Sequence, residues 1–331
     1  MRAIALEEHY ATPAFMDGPG RQIEEEAEAA RAHPQVAAGL ARLIDQLCDI
    51  GEGRIANMDA AGLDVQVLSL TFPGVEQLDP PEAVALARDT NDTLATAVRR
   101  HPDRLAGFAA LPTPDPEAAA DELQRAVGDH GFKGALINGH SHGRYLEDKA
   151  FWPILACAEA LQVPLYLHPT PPPPSTITDL YAGNYPSQVA GVLATAAWGW
   201  HIDTAIHVLR LILSGAFDQY PGLQLVIGHL GETLPFMLSR LERALPTELT
   251  NLDRPVSAYL RENVHYSFSG FNWTPAFLDL LLQVGADRIL FSTDHPYASM
   301  TEARAFLDQL PVSAADKERI AHGNAERLLR L

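Results

Sequence analysis

Three histidines and two carboxylates stand where short β-prone runs break off. The runs end Leu6-Glu7-Glu8-His9, Leu165-Tyr166-Leu167-His168, Val226-Ile227-Gly228-His229 and Phe291-Ser292-Thr293-Asp294. Imidazole and carboxylate together suit a divalent transition metal, and a Glu, an Asp and two of the three histidines form a coherent ligand set for one such ion. Each residue alone has a plainer explanation. A strand-end histidine is often only hydrogen-bonded structure, Asp294 before His295-Pro296 could close an Asx turn, and Glu7 could pair with an arginine. Their joint placement is what points to chemistry, because unrelated structural residues would not all fall at strand ends.

The elements that must position them follow a repeating β/α pattern. Strands are predicted at Ala3–Leu6, Val65–Leu70, Leu105–Ala109, Gly134–Ile137, Leu165–Leu167, Leu225–Ile227, Val264–Ser267 and Ile289–Ser292, with helical patterns between them. Asp79 before Pro80-Pro81 and Asp115 before Pro116 read as helix starts. Eight strands alternating with helices predict the α/β class and a single (β/α)8 barrel domain over residues 1–331, with chemistry at the C-terminal ends of the strands. An open doubly wound sheet is the runner-up, and no G-x-G-x-x-G follows the first strand to support a dinucleotide site. Side-chain alternation predicts that Ala5, Glu7 and His9 face the barrel interior, that Ile4 and Leu6 face the helices, and that Glu8 points away. Two insertions decorate the barrel. Thr12–Cys48 follows strand 1 and carries the acidic run Glu24–Glu28, expected to be a solvated helix face; Pro169–Pro186 follows strand 5 and, with Pro171–Pro174, is expected to be a stiff rim loop.

Composition narrows the partners. Lys plus Arg is 24 against 42 Asp plus Glu, a formal charge of −18, which disfavours nucleic acid and anionic lipid. An anionic substrate would need a local cation to overcome that field. The 47% apolar content belongs to a globular chain, and the most apolar helix is interrupted by His207 and Arg210, so no membrane span is expected. Cys48 and Cys157 sit in apolar helical patterns and are expected to be buried free thiols, which with the short apolar start suggests a cytoplasmic protein.

These residues carry a resemblance. Ala5-Leu6-Glu7-Glu8-His9, Arg54-Ile55-Ala56-Asn57-Met58-Asp59, Leu167-His168-Pro169, Gly228-His229-Leu230-Gly231-Glu232 and Phe291-Ser292-Thr293-Asp294-His295-Pro296, in that order, resemble the metal-dependent decarboxylase branch of the amidohydrolase superfamily. Relatives in that branch act on o-hydroxybenzoates such as γ-resorcylate, 2,3-dihydroxybenzoate and 5-carboxyvanillate. The resemblance implies one divalent ion per subunit, Zn2+ or Mn2+, held by Glu7, His9, His168 and Asp294. It implies a catalytic His229 held by Glu232 one helical turn away, with Asp294 as first candidate for proton donor. Arg54 and Arg240 would hold the substrate carboxylate, the latter across a subunit contact of a homodimer or homotetramer; a surface salt bridge is the plain alternative for each. The implied reaction is non-oxidative decarboxylation of an aromatic carboxylate, with a hydrolase or hydratase using the same ion as the alternative. Glu-x-His in place of His-x-His favours the decarboxylase. Phe72 and Tyr297, with Tyr10, Tyr185 and Phe268, stand at or after strand ends and could line a ring slot; His140 could touch substrate, while His142, His201, His207 and His265 are less favoured as ligands.

Overall fold

The computed structural model describes residues 1–29 and 34–331. Nine strand segments run in chain order: β1 Ile4–Tyr10, β2 Val65–Leu70, β3 Leu105–Gly107, β4 Ala109–Ala110, β5 Ala135–Asn138, β6 Leu165–His168, β7 Leu225–Ile227, β8 Val264–Ser267 and β9 Ile289–Leu290. β1 to β3 pair in parallel, as do β4 to β9. β3 and β4 flank Phe108, whose N–H donates to Leu68 O, so the pair forms one stave and the nine segments make eight staves. The ring closes through the chain beyond β9. Leu6 N–H donates to Phe291 O at 3.2 Å, Asp294 N–H to Glu7 O at 3.0 Å, and His9 N–H to His295 O at 2.7 Å. This is the α/β barrel expected from the alternation, with strands buried on both faces as parallel staves require.

The barrel interior reverses one expectation. Ile4, Leu6, Val65, Val67, Phe108, Leu136, Tyr166, Val226 and Leu290 form one buried cluster inside, sealed at the N-terminal end by Ala325 and Leu329 of the helix Asn324–Leu329. Ala3 and Ala5 face outward into the larger cluster shared with the helices. Ile4 and Leu6 are therefore interior residues. A bulge reconciles this with the mouth: Ala5 pairs with Gln66 and Glu8 with Leu68, so three steps on β1 match two on β2. The extra residue resets the alternation, and Glu7 and His9 follow Leu6 on the interior side while Glu8 turns out to Gln66 and Thr293.

The insertion after β1 folds into helices Pro13–Asp17, Arg21–Ala29 and Pro34–Cys48. The predicted acidic run begins in the second of them, where Glu24 and Glu25 are exposed. The proline-rich segment after β6 holds short helical turns at Pro174–Thr176 and Ile177–Tyr181. Asp115 caps its helix by accepting from Ala118 N–H, whereas Asp79 makes no such bond. Both cysteines are free, yet neither is fully buried: Cys48 is exposed, and Cys157 is half-buried, packed against the core with its thiol donating to Ala120 O. Among the described residues no helix is long and apolar enough to cross a membrane.

Candidate functional site

Glu7, His9, His168 and Asp294 converge at the C-terminal mouth, each offering one ligand atom within 4.8 Å of the others. The bulge in β1 aims Glu7 and His9 inward, His168 ends β6, and Asp294 leaves β9 with φ 62°, a left-handed conformation. Glu7 is tied down on one oxygen only: Oε2 accepts from Tyr166 OH and Ser269 Oγ, with Ser267 Oγ at 3.4 Å. Its Oε1 lies 3.4 Å from His168 Nε2, and His9 Nε2 lies 3.2 Å from Asp294 Oδ1. Neither Glu7 Oε1 nor either ring nitrogen of His9 finds a hydrogen-bond partner among the described residues, although all are buried.

Unpaired buried polar atoms are costly, and three of these four side chains carry them: Glu7 Oε1, both ring nitrogens of His9 and His168 Nδ1. A divalent cation held among them would take one atom from each residue, and the donor set of two imidazoles and two carboxylates has the mixed character such an ion takes. The electrostatics agree. Burial pulls His9 down to about 4, against the opposing charge of Glu7, and burial with the neighbouring His9 pulls His168 down to about 3. Both rings are thus neutral, the form in which imidazole ligates metal. Burial pushes Asp294 up to about 7, opposed by His229 and His201.

A second cluster sits beside the first. His229 Nδ1 lies 2.7 Å from Glu232 Oε1, and His201 Nδ1 lies 2.6 Å from Glu232 Oε2. The contact between His229 and Glu232 is not made along a helix, as expected, since that helix begins only at Leu234. Residues 229 to 233 instead form a turn in which all five have positive φ, from 51° at His229 to 96° at Gly231. Gly231 is the residue that permits it, because a Cβ there would meet the Pro235 and Tyr266 rings at 2.8–2.9 Å. Burial raises the Glu232 carboxyl, but the two histidines outweigh it and hold it below its usual range. Burial likewise lowers His229, yet the Glu232 charge and hydrogen bond lift it to about 10. Alternation along the strands gives no sign of His201. It lies on the helix Gly199–Leu213 that follows the rim loop, away from any strand end.

A cavity of about 450 Å3 opens over both clusters. Phe72, Trp200, Phe271 and Tyr297 wall it, and Leu40 and Leu43 of the insertion helix cover one side. Phe72 packs edge-on against Trp200 at 5.1 Å, and the Tyr297 hydroxyl shares a 2.6 Å hydrogen bond with Thr71 Oγ1. Phe72 and Tyr297 are thus brought to the site as expected; Trp200, Phe271, Leu40 and Leu43 are additions.

Other candidates fall elsewhere. Arg54 is 1% exposed and does not line the cavity. Its guanidinium is consumed by Asp49 O, Gln46 O, His9 O and Gln66 Oε1, since a buried fork of donors must find acceptors. The expected substrate contact is replaced by a brace behind His9. Arg240 is exposed on the outer helix Leu234–Ala244 and does not reach the cavity of its own chain. Tyr10 is fully buried with its hydroxyl on Thr90 O, Phe268 packs in an aromatic core with Phe277, Phe291 and Phe306, and Tyr185 bonds Tyr181 O. His140 is held by Pro171 O and Gln77.

An amidohydrolase-type barrel with an open group of side chains that could hold a metal ion is what the fold and mouth define. The amidohydrolase family model matches residues 21–331, and the chain belongs to that family. It is 37% identical over 340 residues to the gamma-resorcylate decarboxylase of Polaromonas sp., covering 99% of this chain and 98% of that protein. Among solved structures it resembles a dihydroxybenzoic acid decarboxylase from Polaromonas sp. with bound manganese and 2-nitroresorcinol, with TM-score 0.88, 37% identity and coverage of 100% and 97%. It also resembles the 5-carboxyvanillate decarboxylase of Novosphingobium aromaticivorans complexed with manganese and a hydroxy-methoxy-nitrobenzoic acid, with TM-score 0.89, 35% identity and coverage of 100% and 96%.

Proposed function

We propose that this chain is a divalent-metal-dependent, non-oxidative decarboxylase of an o-hydroxy aromatic carboxylate of the γ-resorcylate or dihydroxybenzoate type, with residues 1–331 working as one barrel domain. The observation that carries it is the open group of Glu7, His9, His168 and Asp294 at the base of an aromatic-walled cavity.

The difficulty in such a reaction is electronic. Losing CO2 directly leaves an aryl carbanion, so the ring carbon bearing the carboxylate must be protonated first. A hydroxyl ortho to that carbon pushes electron density onto it. A bound divalent ion supplies Lewis-acid charge for the phenolic and carboxylate oxygens, and thereby also the local cation that an anionic substrate needs in a chain of net charge −18. Manganese, the ion in the related structures, is the first choice, with zinc the second.

The protein's residues do the rest. Phe72, Trp200, Phe271 and Tyr297 flank the ring and exclude water, which holds the reacting carbon in one place. Asp294, beside His9 and on the cavity wall, hands its proton to the ring carbon. The C–C bond to the carboxylate then breaks, CO2 leaves, and its electron pair restores the aromatic ring. His229, anchored through Nδ1 on Glu232, presents Nε2 as a hydrogen-bond donor to substrate oxygen. Arg240 is exposed, so its part in holding a carboxylate belongs to the cavity of a neighbouring subunit in a homodimer or homotetramer. Two unpaired cysteines support a cytoplasmic setting.

The test is a screen of manganese-loaded protein against o-hydroxybenzoates for CO2 release, with lactones and amides as controls. CO2 from a 2,6- or 2,3-dihydroxybenzoate is expected. Hydrolysis of a control without CO2 release would replace the decarboxylase by a hydrolase.

A further inference from the structure

His201 lies on the wall of the cavity, yet none of the steps above uses it. It is 7% exposed and both its ring nitrogens are taken. Nε2 lies 3.1 Å from Ala196 O, and since a carbonyl only accepts, Nε2 carries hydrogen. Nδ1 lies 2.6 Å from Glu232 Oε2. His201 therefore has no nitrogen left for substrate. What it touches is the carboxylate that also holds His229.

The backbone is shaped to bring it there. The helix Gly199–Leu213 starts hard against the preceding turn: a Cβ on Gly199 would come within 2.0 Å of Ala194 O, so only glycine permits the approach. That places His201 in the first turn, with its ring edge-on to His229 at 4.7 Å and to Phe271 at 5.1 Å. A glutamate's terminal torsion is broad, so a carboxylate held by one partner can rotate. Glu232 is held at both oxygens, by His229 at 2.7 Å and by His201 at 2.6 Å.

We propose that His201 is a positioning residue: by occupying Oε2 of Glu232 it keeps Oε1 on His229 Nδ1, and so fixes His229 with Nε2 turned to the substrate. Its rate consequence rests on the decarboxylase function proposed above; its structural consequence does not.

The experiment uses the full chain in three forms, wild type, His201→Gln and His201→Phe. Glutamine retains an N–H donor for Glu232, and phenylalanine keeps the ring but has none. In the manganese-loaded proteins kcat should fall roughly 10- to 100-fold in His201→Phe, the scale of a misplaced catalytic group. KM and bound manganese should stay within about twofold, and His201→Gln should recover most of the rate. Proton NMR of metal-free protein labelled with 15N-histidine supplies a readout independent of turnover. Wild type should show two low-field Nδ1–H resonances from His201 and His229. His201→Phe should lose the first and displace or broaden the second, while His201→Gln leaves the second in place. An unmoved His229 resonance in His201→Phe overturns the proposal. So does a raised KM at unchanged kcat, which would mark a substrate contact, and so does a glutamine variant as slow as phenylalanine. If wild type releases no CO2 the decarboxylase assignment fails, and the resonances alone decide the role of His201.

Discussion

Two groups of titratable side chains share the mouth of this barrel, and only one is closed on itself. In the group of His201, His229 and Glu232, each carboxylate oxygen meets an imidazole nitrogen and a third nitrogen, His201 Nε2, meets a carbonyl. In the group of Glu7, His9, His168 and Asp294, Glu7 Oε1 and both His9 nitrogens have no hydrogen-bond partner among the described residues. Both groups bring histidines and carboxylates to within 4.8 Å of one another, so proximity does not separate them. Hydrogen-bond completion does. The closed group needs nothing further and orients one imidazole; the open group is left short of a positive charge, which is the demand of a cation site.

The largest effect should come from breaking the open group. Asp294→Asn keeps the shape but removes the transferable proton, and kcat should fall about 10^3-fold or more with the circular dichroism spectrum unchanged. Near-normal turnover would remove Asp294 as the donor. Next comes the closed group: Glu232→Gln should lower kcat roughly 10^2-fold while manganese binding persists. Loss of the metal instead would erase the distinction between the two groups. Third, Gly231→Ala puts a side chain at φ 96° against Pro235 and Tyr266, so a loss of about 1–3 kcal/mol in urea unfolding is expected, with activity falling further than stability alone explains. An unaffected variant would show that the left-handed turn is not what joins His229 to Glu232.

The smallest effect separates the mouth from the rest of the chain. Burial holds His207 and His265, both away from the cavity, down at about 3, helped by Arg210 and by Arg288 respectively. Below pH 6.5 the unfolded chain takes up protons that the folded chain refuses, so stability present above pH 6.5 is lost as pH falls toward 3. His207→Gln, which can still accept from Leu146 N–H, should flatten the decline in the urea midpoint between pH 7 and 5. An unchanged slope would mean that acid sensitivity arises elsewhere.

What could be read from the sequence divides along the same line. The open group lies at strand ends, and strand ends are visible because β-rich runs stop there; Glu7, His9, His168 and Asp294 were all legible for that reason. The route to them was not. Alternation along β1 puts Ala5 inside with Glu7, whereas the barrel has Leu6 inside and a bulge supplies the extra step. A bulge inserts a residue without a compositional mark, so strict period-two alternation matches the mouth residues Glu7 and His9 but not the interior below them. The closed group was half visible. Gly231 hints at a special backbone, but a run of five left-handed residues is a tertiary solution with no local signature. Leu40 and Leu43 enter from a helix of the insertion, outside the β/α phase, and His201 enters from the first turn of the helix between β6 and β7, not from a strand end. Arg54 shows the converse: its match to a family segment suggested substrate, and burial gave it to backbone carbonyls instead.

The most direct test of the division is metal content. The chain is stripped with chelator, dialysed against manganese and then against metal-free buffer, and bound metal is counted by mass spectrometry in wild type, His168→Ala and Glu232→Gln. One manganese per chain in wild type, none in His168→Ala and one in Glu232→Gln is the expected outcome. Metal retained by His168→Ala, or lost from Glu232→Gln alone, would place the ion in the wrong group and contradict the assignment.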